Sequence, residues 1–473
     1  MAIRRRADLK TGTTCNSNCV FCVIGDHLFT GDRSTQACID ELRASRATCV
    51  DVVFTGAEVS IRPDFLQLVR AARALGYENI QIQTNGRMFA YREFCERTIA
   101  AGANEFSPSI HGHEAKLHDG LTRAPGSFAQ IVRAIEHLVA LQQRVVCNTV
   151  ITKQNARHLP ALAQLLVELG VAQFQLAFPH PTGHAATYFN GVVPRMSEIA
   201  GFVHEALAVG RAGGVACMAE AMPFCMMQGH ASAVAELHIP ATEIVYDGYV
   251  VPDYRDDRVA RGKRRFVQCA SCRFEPICEG PWREYPERLG GDEFQPIAGA
   301  RVIDTAVVLD PRFDMLGEPA PALADVRWSA PMTAVCFVPE AGSPGCTAQL
   351  CSTVARREAL VAAGLAVVVV APQPDDVLVA WARRHDADAR MTSDPDGALA
   401  RAWRAWDHGP RRSSYLVDAR GRVAHVVVEV DTNAHAAQLL DACARLQAPA
   451  RALGPAPDLV TLRRPASAAA GPR

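Results

Sequence analysis

Short apolar segments alternate with amphipathic ones between residues 7 and 183, and this alternation limits the fold more than any other feature of the chain. The apolar segments fit β-strands at residues 50–55, 80–84, 105–110, 145–151 and 173–178. The amphipathic segments fit helices at residues 64–74, 128–142 and 159–169. Strands that alternate with helices of these lengths predict βαβ units around a parallel α/β sheet, either open or closed into a barrel.

The composition is that of an ordinary globular protein with an excess of cysteine. The chain has 473 residues, 49% of them hydrophobic and 21% charged, and 16 are cysteines. Lys and Arg number 49 and Asp and Glu 50, a net charge of −1, which argues against a nucleic-acid partner held by bulk charge. We predict no nucleic-acid partner, and at about 150 residues per domain we expect about three domains.

Two further regions follow the first α/β pattern. Residues 215–294 are irregular and contain five cysteines, and a proline-rich segment at 309–331 leads to a second α/β pattern at 332–446. No apolar export segment follows the basic N-terminus, and the longest apolar run, residues 365–371, is far too short to span a bilayer. We therefore expect a cytoplasmic protein without a membrane partner, whose clustered thiols serve metal or redox chemistry.

The first cysteine cluster is Cys15-Asn-Ser-Asn-Cys19-Val-Phe-Cys22. Three thiolates within eight residues can bind one inorganic centre from a single loop. A zinc site normally takes four protein ligands, and no fourth Cys or His is near in sequence. An iron–sulfur cube held by three cysteines has one iron open, where a substrate or cofactor can coordinate.

This spacing resembles the C-x3-C-x2-C motif of the radical S-adenosylmethionine (radical SAM) superfamily. The resemblance implies a partial (β/α)6 barrel and a [4Fe-4S] cluster whose open iron binds S-adenosylmethionine through its amino and carboxylate groups. It further implies an electron donor of the flavodoxin or ferredoxin type, and reductive cleavage of the cofactor to a 5′-deoxyadenosyl radical.

Other residues at predicted strand ends match this family. Phe21 stands where the family has an aromatic against the adenine, and Gly56-Ala57-Glu58 resembles the G-G-E motif that holds the amino group, with Ala57 in place of the second glycine. The remaining cofactor-site candidates are Thr84, Asn85, Ser109 and Asn148. Parallel α/β barrels carry their chemistry at these strand ends. Weaker candidates are Ser107, His111 and Gln175, and we expect His113, His118 and Asp119 at the surface.

The second cluster combines Cys269, Cys272 and Cys278 with Cys225 upstream. The C-x2-C-x5-C run resembles the auxiliary-cluster region of SPASM and twitch domains, which implies one auxiliary [4Fe-4S] cluster. Cys217 is an alternative fourth ligand, and a structural zinc site is an alternative use of the same thiolates. Whether such a cluster passes electrons or orients substrate stays open.

The third site places Cys346 at a predicted helix start, where the helix dipole and free N–H groups favour a thiolate. Pro339, Ser343 and Cys346 match the peroxiredoxin signature P-x3-(T/S)-x2-C, and Arg412 matches the family's later arginine. The resemblance implies that Cys346 attacks peroxide, that Ser343 and Arg412 bind it, and that Pro339 shields the site.

Cys351 follows five residues after Cys346, a spacing that resembles the bacterioferritin-comigratory (peroxiredoxin Q) subfamily. This implies a thioredoxin-like fold in which Cys351 resolves the sulfenic acid as a disulfide, after local unwinding of the helix, and a thioredoxin-like protein reduces it. Because the entry to this domain is short, its first hairpin is a candidate for absence. The alternative is a non-catalytic module that binds substrate or partner.

Together these features predict a radical SAM enzyme for a peptide or small-molecule substrate, fused to a thiol peroxidase. The expected domains are a barrel at 1–210, an auxiliary iron–sulfur region at 211–298, a linker at 299–331, a peroxiredoxin-like domain at 332–447 and a disordered tail at 448–473. Isolated cysteines are expected to be buried hydrophobes, namely Cys38, Cys49, Cys95, Cys147, Cys336 and Cys443.

Overall fold

The computed structural model describes residues 4–25, 30–246, 249–299, 301–323, 326–428 and 430–447. The predicted tail at 448–473 lies outside them. The strands are β1 Arg5–Lys10, β2 Asp51–Thr55, β3 Asn79–Thr84, β4 Glu105–Pro108, β5 Arg144–Val150, β6 Gln173–Ala177, β7 Ala216–Glu220, β8 Ala241–Tyr246, β9 Tyr249–Val251, β10 Met332–Phe337, β11 Leu365–Ala371, β12 Arg390–Ser393, β13 Ser413–Asp418 and β14 Val423–Val427.

The α-helices are α1 Thr35–Ser45, α2 Phe65–Ala74, α3 Arg92–Ala101, α4 Ala115–Thr122, α5 Ser127–Ala140, α6 Leu159–Glu168, α7 Gly183–Thr187, α8 Phe189–Val192, α9 Met196–Ala212, α10 Tyr254–Asp257, α11 Glu284–Leu289, α12 Thr305–Val308, α13 Pro344–Ala355, α14 Arg357–Ala362, α15 Asp375–Arg384, α16 Ala398–Ala402 and α17 His435–Gln447. None of the described helices is long and apolar enough to cross a membrane.

The first sheet has nine strands in the order β7-β6-β5-β4-β3-β2-β1-β8-β9. Strands β1 to β7 pair with their sequence neighbours in parallel, as expected for successive βαβ units. This confirms the predicted parallel α/β architecture. Strands β7 and β8 extend the sheet past residue 210, where the barrel was expected to end.

Strand β1 was not predicted, because its sequence RRADLK contains four charged residues. Ala7 and Leu9 are each 1% exposed and pack into the core, whereas Arg6 and Asp8 face the interior of the curved sheet. The same period of two recurs in β3, where Ile80 and Ile82 are buried against helices. The concave side of the sheet is therefore polar.

The second sheet has the order β12-β11-β10-β13-β14, with β10, β11 and β12 parallel and β13 and β14 antiparallel. This is the thioredoxin-like arrangement that the sequence predicted. Before β10, the described residues add a single bridge to this sheet, between Pro319 and Arg422. The expected shortening of the domain entry agrees with this pattern.

The segment predicted as a linker is structured between the two sheets. It contains α12 and a 3₁₀ turn at Pro311–Met315 whose residues Arg312 to Met315 are buried. Phe313 packs with the core of the first sheet, and Met315 packs with the core of the second. The segment is thus part of the packing between both halves.

Candidate functional sites

The loop that carries Cys15, Cys19 and Cys22 leaves the carboxyl end of β1. Its backbone is tied to the end of α4, since Asn18 N–H donates to Thr122 O at 3.0 Å and Val20 N–H donates to Leu121 O at 2.9 Å. The thiols are near one another: burial, followed by the charges of Glu58 and Cys22, raises the pKa of Cys15 to about 11. Burial, Cys15 and Cys22 raise the pKa of Cys19.

A second support of this loop was missed by sequence reasoning. The backbone N–H of His184 donates to Cys22 O at 2.8 Å, and its Nδ1 lies 2.9 Å from Cys19 O. Gly183 has φ +52°, and a Cβ there would lie 2.5 Å from Cys22 O. A Gly-His pair just after a predicted parallel strand was the available signal.

Glu58 is 2% exposed and accepts four hydrogen bonds. Its Oε1 accepts from Ser60 N–H at 3.2 Å, Ser60 Oγ at 2.5 Å and Thr84 Oγ1 at 2.7 Å. Its Oε2 accepts from Asn85 N–H at 2.5 Å. Burial raises the pKa of Glu58 despite these donors. Thr84 therefore contacts the carboxylate of Glu58 and helps to fix its orientation.

Asn85 connects this acid to the cysteine loop. Its Nδ2 donates to Asn16 Oδ1 at 2.6 Å and lies 3.9 Å from Cys15 Sγ. The strand-end turn before Glu58 is equally close to the loop, because a Cβ on Gly56 (φ +117°) would lie 2.7 Å from Gly12 O. The candidates on β1, β2 and β3 thus form one contiguous site, in which Ala57 is half-buried.

The other candidates lie on the cysteine loop, just after β4 and on β5. Phe21 is buried, and its ring meets His111 edge-on at 4.6 Å. Ser109 forms a backbone bridge with Asn148, and Oδ1 of Asn148 is buried with no hydrogen-bond partner among the described residues. An orphaned carbonyl oxygen of this kind is suited to a bound donor group.

The expected surface position of His118 is wrong. His118 is 1% exposed, and its Nδ1 accepts the backbone N–H of His111 at 3.0 Å. His111 Nδ1 in turn accepts Val150 N–H at 3.2 Å. Burial lowers the pKa of His118 to about 4 and the pKa of His111 well below its usual value. Both rings are therefore neutral parts of the site wall.

The concave face of the sheet lines an open cavity of about 980 Å³. Its polar lining includes charged, amide and hydroxyl side chains of successive strands: Arg6, Asp8, Gln81, Gln83, Ser107, Asn148, Gln173, Gln175 and Glu220. Gln175 Nε2 donates to Glu220 Oε2 at 2.5 Å, and burial raises the pKa of Glu220. This space can hold a polar molecule next to the cysteine loop.

Cys225, Cys269, Cys272 and Cys278 line one small apolar pocket. Burial, followed by the other three thiols, raises the pKa of Cys225. Backbone N–H groups of Phe266 and Ile297 lie 3.4 Å from the Sγ atoms of Cys269 and Cys272. Hydrogen bonds to sulfur are a usual feature of iron–sulfur ligation.

Cys217 is placed elsewhere, since its Sγ donates to Leu207 O at 3.3 Å on α9. The geometry therefore favours Cys225 as the fourth thiol of this group. Among the described residues, no three His, Cys, Asp or Glu side chains are close enough to hold one metal ion. The thiolates that bind different irons of a [4Fe-4S] cube can be farther apart than the ligands of a single ion. Whether these four thiols suit a cube is therefore judged from their residue type and from the groups around them.

Arg273, next to Cys272, is a buried cation. It is 2% exposed, and its Nε and Nη1 have no hydrogen-bond partner among the described residues. Its guanidinium lies 5.7 Å from the ring of Phe274 and 5.3 Å from that of Phe313. A buried charge is costly without a counter-charge, so Arg273 is suited to a negative charge at the neighbouring Cys272 thiol.

Cys346 lies in the first turn of α13, as predicted, and is fully buried. Arg412 Nη2 donates to Cys346 Sγ at 3.3 Å, and Arg412 Nη1 donates to Gln349 Oε1. Ser343 is the N-cap residue, and its Oγ makes no capping bond to the helix. Its hydroxyl is therefore not used by the helix end.

Cys351 is exposed on the same helix, and its Sγ lies 3.8 Å from His385 Nδ1. Side chains five positions apart lie on different faces of a helix. A bond between Cys346 and Cys351 therefore needs the helix to unwind locally.

Family models match two stretches of the chain. Residues 9–166 match the radical SAM superfamily, and residues 321–426 match the AhpC/TSA family. The chain carries a radical SAM domain and an AhpC/TSA domain. The first contains every cofactor-site candidate from Cys15 to Asn148, and the second contains Cys346, Cys351 and Arg412.

Several relatives are similar to this chain over a stretch of about the size of the radical SAM domain. An AdoMet-dependent heme synthase of Oleidesulfovibrio alaskensis is 31% identical over 37% of this chain and 45% of its own length. Mycofactocin maturase MftC of Mycobacterium ulcerans is 30% identical over 39% of this chain and 50% of its own length. The chain spans about half the length of these relatives, so the match concerns the radical SAM domain and assigns no substrate.

Two solved structures show weaker likeness. Bacterioferritin comigratory protein of Xanthomonas campestris is 22% identical, with a TM-score of 0.24 over 24% of this chain and 80% of that chain. Streptococcus suis SuiB bound to its precursor peptide SuiA is 13% identical, with a TM-score of 0.47 over 63% of this chain and 75% of that chain. At these TM-scores neither likeness adds to the fold that the strand order defines.

His184 and the four thiols around Cys225 lie between the two matched stretches. The radical SAM domain ends before them, and the AhpC/TSA domain begins after them. Their assignment therefore depends on the geometry of this chain alone.

Proposed function

We propose that the protein uses S-adenosylmethionine and a [4Fe-4S] cluster on Cys15, Cys19 and Cys22 to modify a peptide or small molecule by radical chemistry. When bound, the cluster and cofactor supply a 5′-deoxyadenosyl radical that abstracts hydrogen. The observation that carries this proposal is the double contact of Asn85, which links the cysteine loop to the buried Glu58 carboxylate.

The chain's own residues have distinct parts in this site. The lone pairs left on Glu58 Oε2 are suited to an ammonium group, with Thr84 and Asn85 fixing the carboxylate. Phe21 supplies an apolar surface for an adenine. Asn148 Oδ1 offers an unused acceptor at the cavity wall.

The substrate would enter the cavity of about 980 Å³. Its glutamine, asparagine and serine side chains offer both donors and acceptors, which match the amide groups of a peptide. The relatives named as heme synthases and as mycofactocin maturases show that similar domains take different substrates. A peptide is the candidate that the amide-rich lining favours.

For the second centre we propose one auxiliary [4Fe-4S] cluster on Cys225, Cys269, Cys272 and Cys278. Four thiols on one apolar pocket, N–H donors to two sulfurs and the unpaired Arg273 support this assignment over Cys217. A cube with four thiolates has net negative charge, which would neutralise Arg273.

For the C-terminal domain we propose a thiol peroxidase. The Cys346 thiolate attacks the terminal peroxide oxygen, an S–O bond forms as the O–O bond breaks, and the leaving oxygen takes a proton as alcohol or water. Cys351 then attacks the sulfenic acid, an S–S bond forms, and water leaves. A thioredoxin-like dithiol restores both thiols. Arg412, 3.3 Å from Cys346 Sγ, supports the thiolate and the developing charge.

Iron content and peroxide consumption test these proposals. Anaerobic reconstitution is expected to load about eight irons per chain, four for each cube, and to give brown protein. Cys19→Ala and Cys272→Ala should each remove about half of the iron, and Cys351→Ala, at an exposed thiol outside both groups, should remove none. Colourless protein that retains zinc would contradict both clusters.

Cys346→Ser is expected to abolish consumption of hydroperoxide in the presence of a dithiol reductant. If the wild-type chain consumes no peroxide, or if Cys346→Ser consumes it as fast, the domain is a binding module instead.

A further inference from the structure

Arg412 is held from behind by a residue outside the AhpC/TSA domain. The backbone oxygen of Arg412 accepts a 2.8 Å hydrogen bond from Arg312 Nη1. The same nitrogen donates to Ser413 Oγ at 2.8 Å. Arg312 thus binds the backbone at Arg412 and the side chain of Ser413, next to the residue whose guanidinium contacts Cys346.

Arg312 is itself immobilised. It is 4% exposed, and its Nε and Nη2 donate to the two carboxylate oxygens of Asp310 at 2.9 and 2.6 Å. Burial alone would raise the pKa of Asp310, but the hydrogen bonds and charge of Arg312, together with the charge of Arg411, hold that pKa below its usual value. Hydrogen bonds to Asp310 on one side and to Arg412 and Ser413 on the other need the planar, five-donor guanidinium group, which lysine lacks.

The segment that carries Arg312 is anchored to the N-terminal half. Phe313 meets the ring of Phe274 at 5.9 Å, two residues after Cys272. Asp314 accepts from Ser232 N–H at 3.0 Å and Ser232 Oγ at 2.6 Å, and pairs with Arg211 of α9 at 3.3 Å. The position of Arg312 therefore depends on contacts with the N-terminal half as well as on the C-terminal half, where Arg404 pairs with Asp314 at 3.3 Å.

We propose that Arg312 is a positioning residue of the peroxide site, which holds Arg412 against Cys346 and so makes the reactivity of this thiolate depend on the N-terminal half. The inference deepens the proposed peroxidase function and rests on it for its purpose. The reactivity of the Cys346 thiolate can be measured without peroxide turnover.

The physical reason is the directionality of the contact between Arg412 and Cys346. A charge-assisted hydrogen bond weakens steeply when donor and acceptor are misaligned. Without Arg312, the backbone of Arg412 loses the donor to its carbonyl group and its guanidinium is free to turn away. The thiolate then loses its stabilising cation, although Cys346 and Arg412 are both unchanged.

The test is the pH profile of Cys346 alkylation in the full chain with Cys351→Ser, read by mass spectrometry on the peptide that contains Cys346. Arg312→Gln is expected to slow alkylation at neutral pH by about tenfold and to move the midpoint of the profile to higher pH. Arg412→Lys should move it in the same direction. Arg404→Gln is the matched control, because Arg404 pairs with Asp314 at 3.3 Å in the same segment, whereas the guanidinium of Arg412 contacts Cys346 and Gln349.

A profile of Arg312→Gln that coincides with the parent profile would overturn the proposal, as would an equal shift in Arg404→Gln. If Arg312→Gln does not fold, Arg312→Lys carries the test, since it keeps the charge beside Asp310 and removes the fork; an unshifted profile then overturns the proposal.

Peroxide consumption by the same proteins separates this inference from the proposed function. If the wild-type chain consumes no peroxide while Arg312→Gln still shifts the profile, the peroxidase function fails and the positioning role stands.

Discussion

The backbone N–H of Asn85 donates a 2.5 Å hydrogen bond to Oε2 of Glu58, a carboxylate that is 2% exposed. The side chain of Asn85 lies 3.9 Å from Cys15 Sγ. One residue at the end of β3 therefore couples the acid after β2 to the thiols after β1. This coupling supports the proposed cofactor site, because cysteines that are merely close in sequence would not need it.

Glu58→Gln is expected to weaken S-adenosylmethionine binding by about 10- to 100-fold, because it removes the charge offered to the cofactor's ammonium group. Binding can be measured by isothermal titration of the reconstituted protein. Glu78→Gln, at an exposed carboxylate that pairs with Arg4, is the control and should bind like the wild type. Equal affinity in Glu58→Gln would remove Glu58 from the site.

Gly183→Ala is expected to displace the cysteine loop, because the new Cβ would clash with Cys22 O at a backbone φ of +52°. Reconstituted iron should fall by about four per chain, with the auxiliary cluster intact. Gly191→Ala, where nothing lies within 4 Å of the new Cβ, should keep full iron. Full iron in Gly183→Ala would show that the loop does not need this support.

Arg273→Gln is expected to lower the midpoint potential of the auxiliary cluster, since loss of a buried positive charge disfavours the more negative reduced state. The potential can be followed by electron paramagnetic resonance during a redox titration. Arg265→Gln removes a side chain that is 42% exposed beside the same thiols and should shift it less. An unchanged or higher potential in Arg273→Gln would contradict the counter-charge role.

Acid should destabilise the radical SAM domain through its buried imidazoles. Burial lowers the pKa of His118 to about 4, so the unfolded chain binds a proton at higher pH than the folded one. Stability is then lost as pH falls from about 6.5 to about 4, by roughly 1.4 kcal/mol per pH unit for one proton. His118→Asn should flatten this slope in urea unfolding, and His408→Asn, at an exposed ring, should not. If the free energy of unfolding of His118→Asn falls with pH as steeply as that of the wild type, protonation of His118 is not the cause of the acid destabilisation.

Cys351→Ser is expected to accumulate sulfenic acid on Cys346 after one equivalent of peroxide, because the resolving thiol is gone. The wild-type chain should instead form a disulfide and lose helical signal from α13, since the two thiols are on different faces of that helix. Mass spectrometry and circular dichroism measure the two outcomes. A wild-type disulfide without helix loss would contradict the unwinding step.

The sequence predicted the parts of the fold whose pattern is local. Strands such as Asn79–Thr84 and Arg144–Val150 agree with their predicted ranges to within one residue at each end, because apolar runs between helices are read directly from the chain. Strand β1 was missed because its concave face is charged. Those charges line an open cavity whose walls come from strands distant in sequence, so no local pattern reveals it.

The candidate sites show the same limit. Cys346 at a helix start and the Cys15 loop were predicted from motifs that resemble those of known families. The contacts of His184 with the cysteine loop and of Arg312 with Arg412 could not be predicted in this way, because they join residues 165 and 100 positions apart. The sequence favoured Cys225 with Cys217 as an alternative, and the structure adds support for Cys225 because only this one of the two lines the pocket of the other three thiols.

The formation of 5′-deoxyadenosine tests the central claim most directly. The reconstituted protein should convert S-adenosylmethionine to 5′-deoxyadenosine and methionine under strong reductant without oxygen, and Cys19→Ala should not. Equal formation by Cys19→Ala, or none by a wild-type protein that carries its iron, would contradict the account.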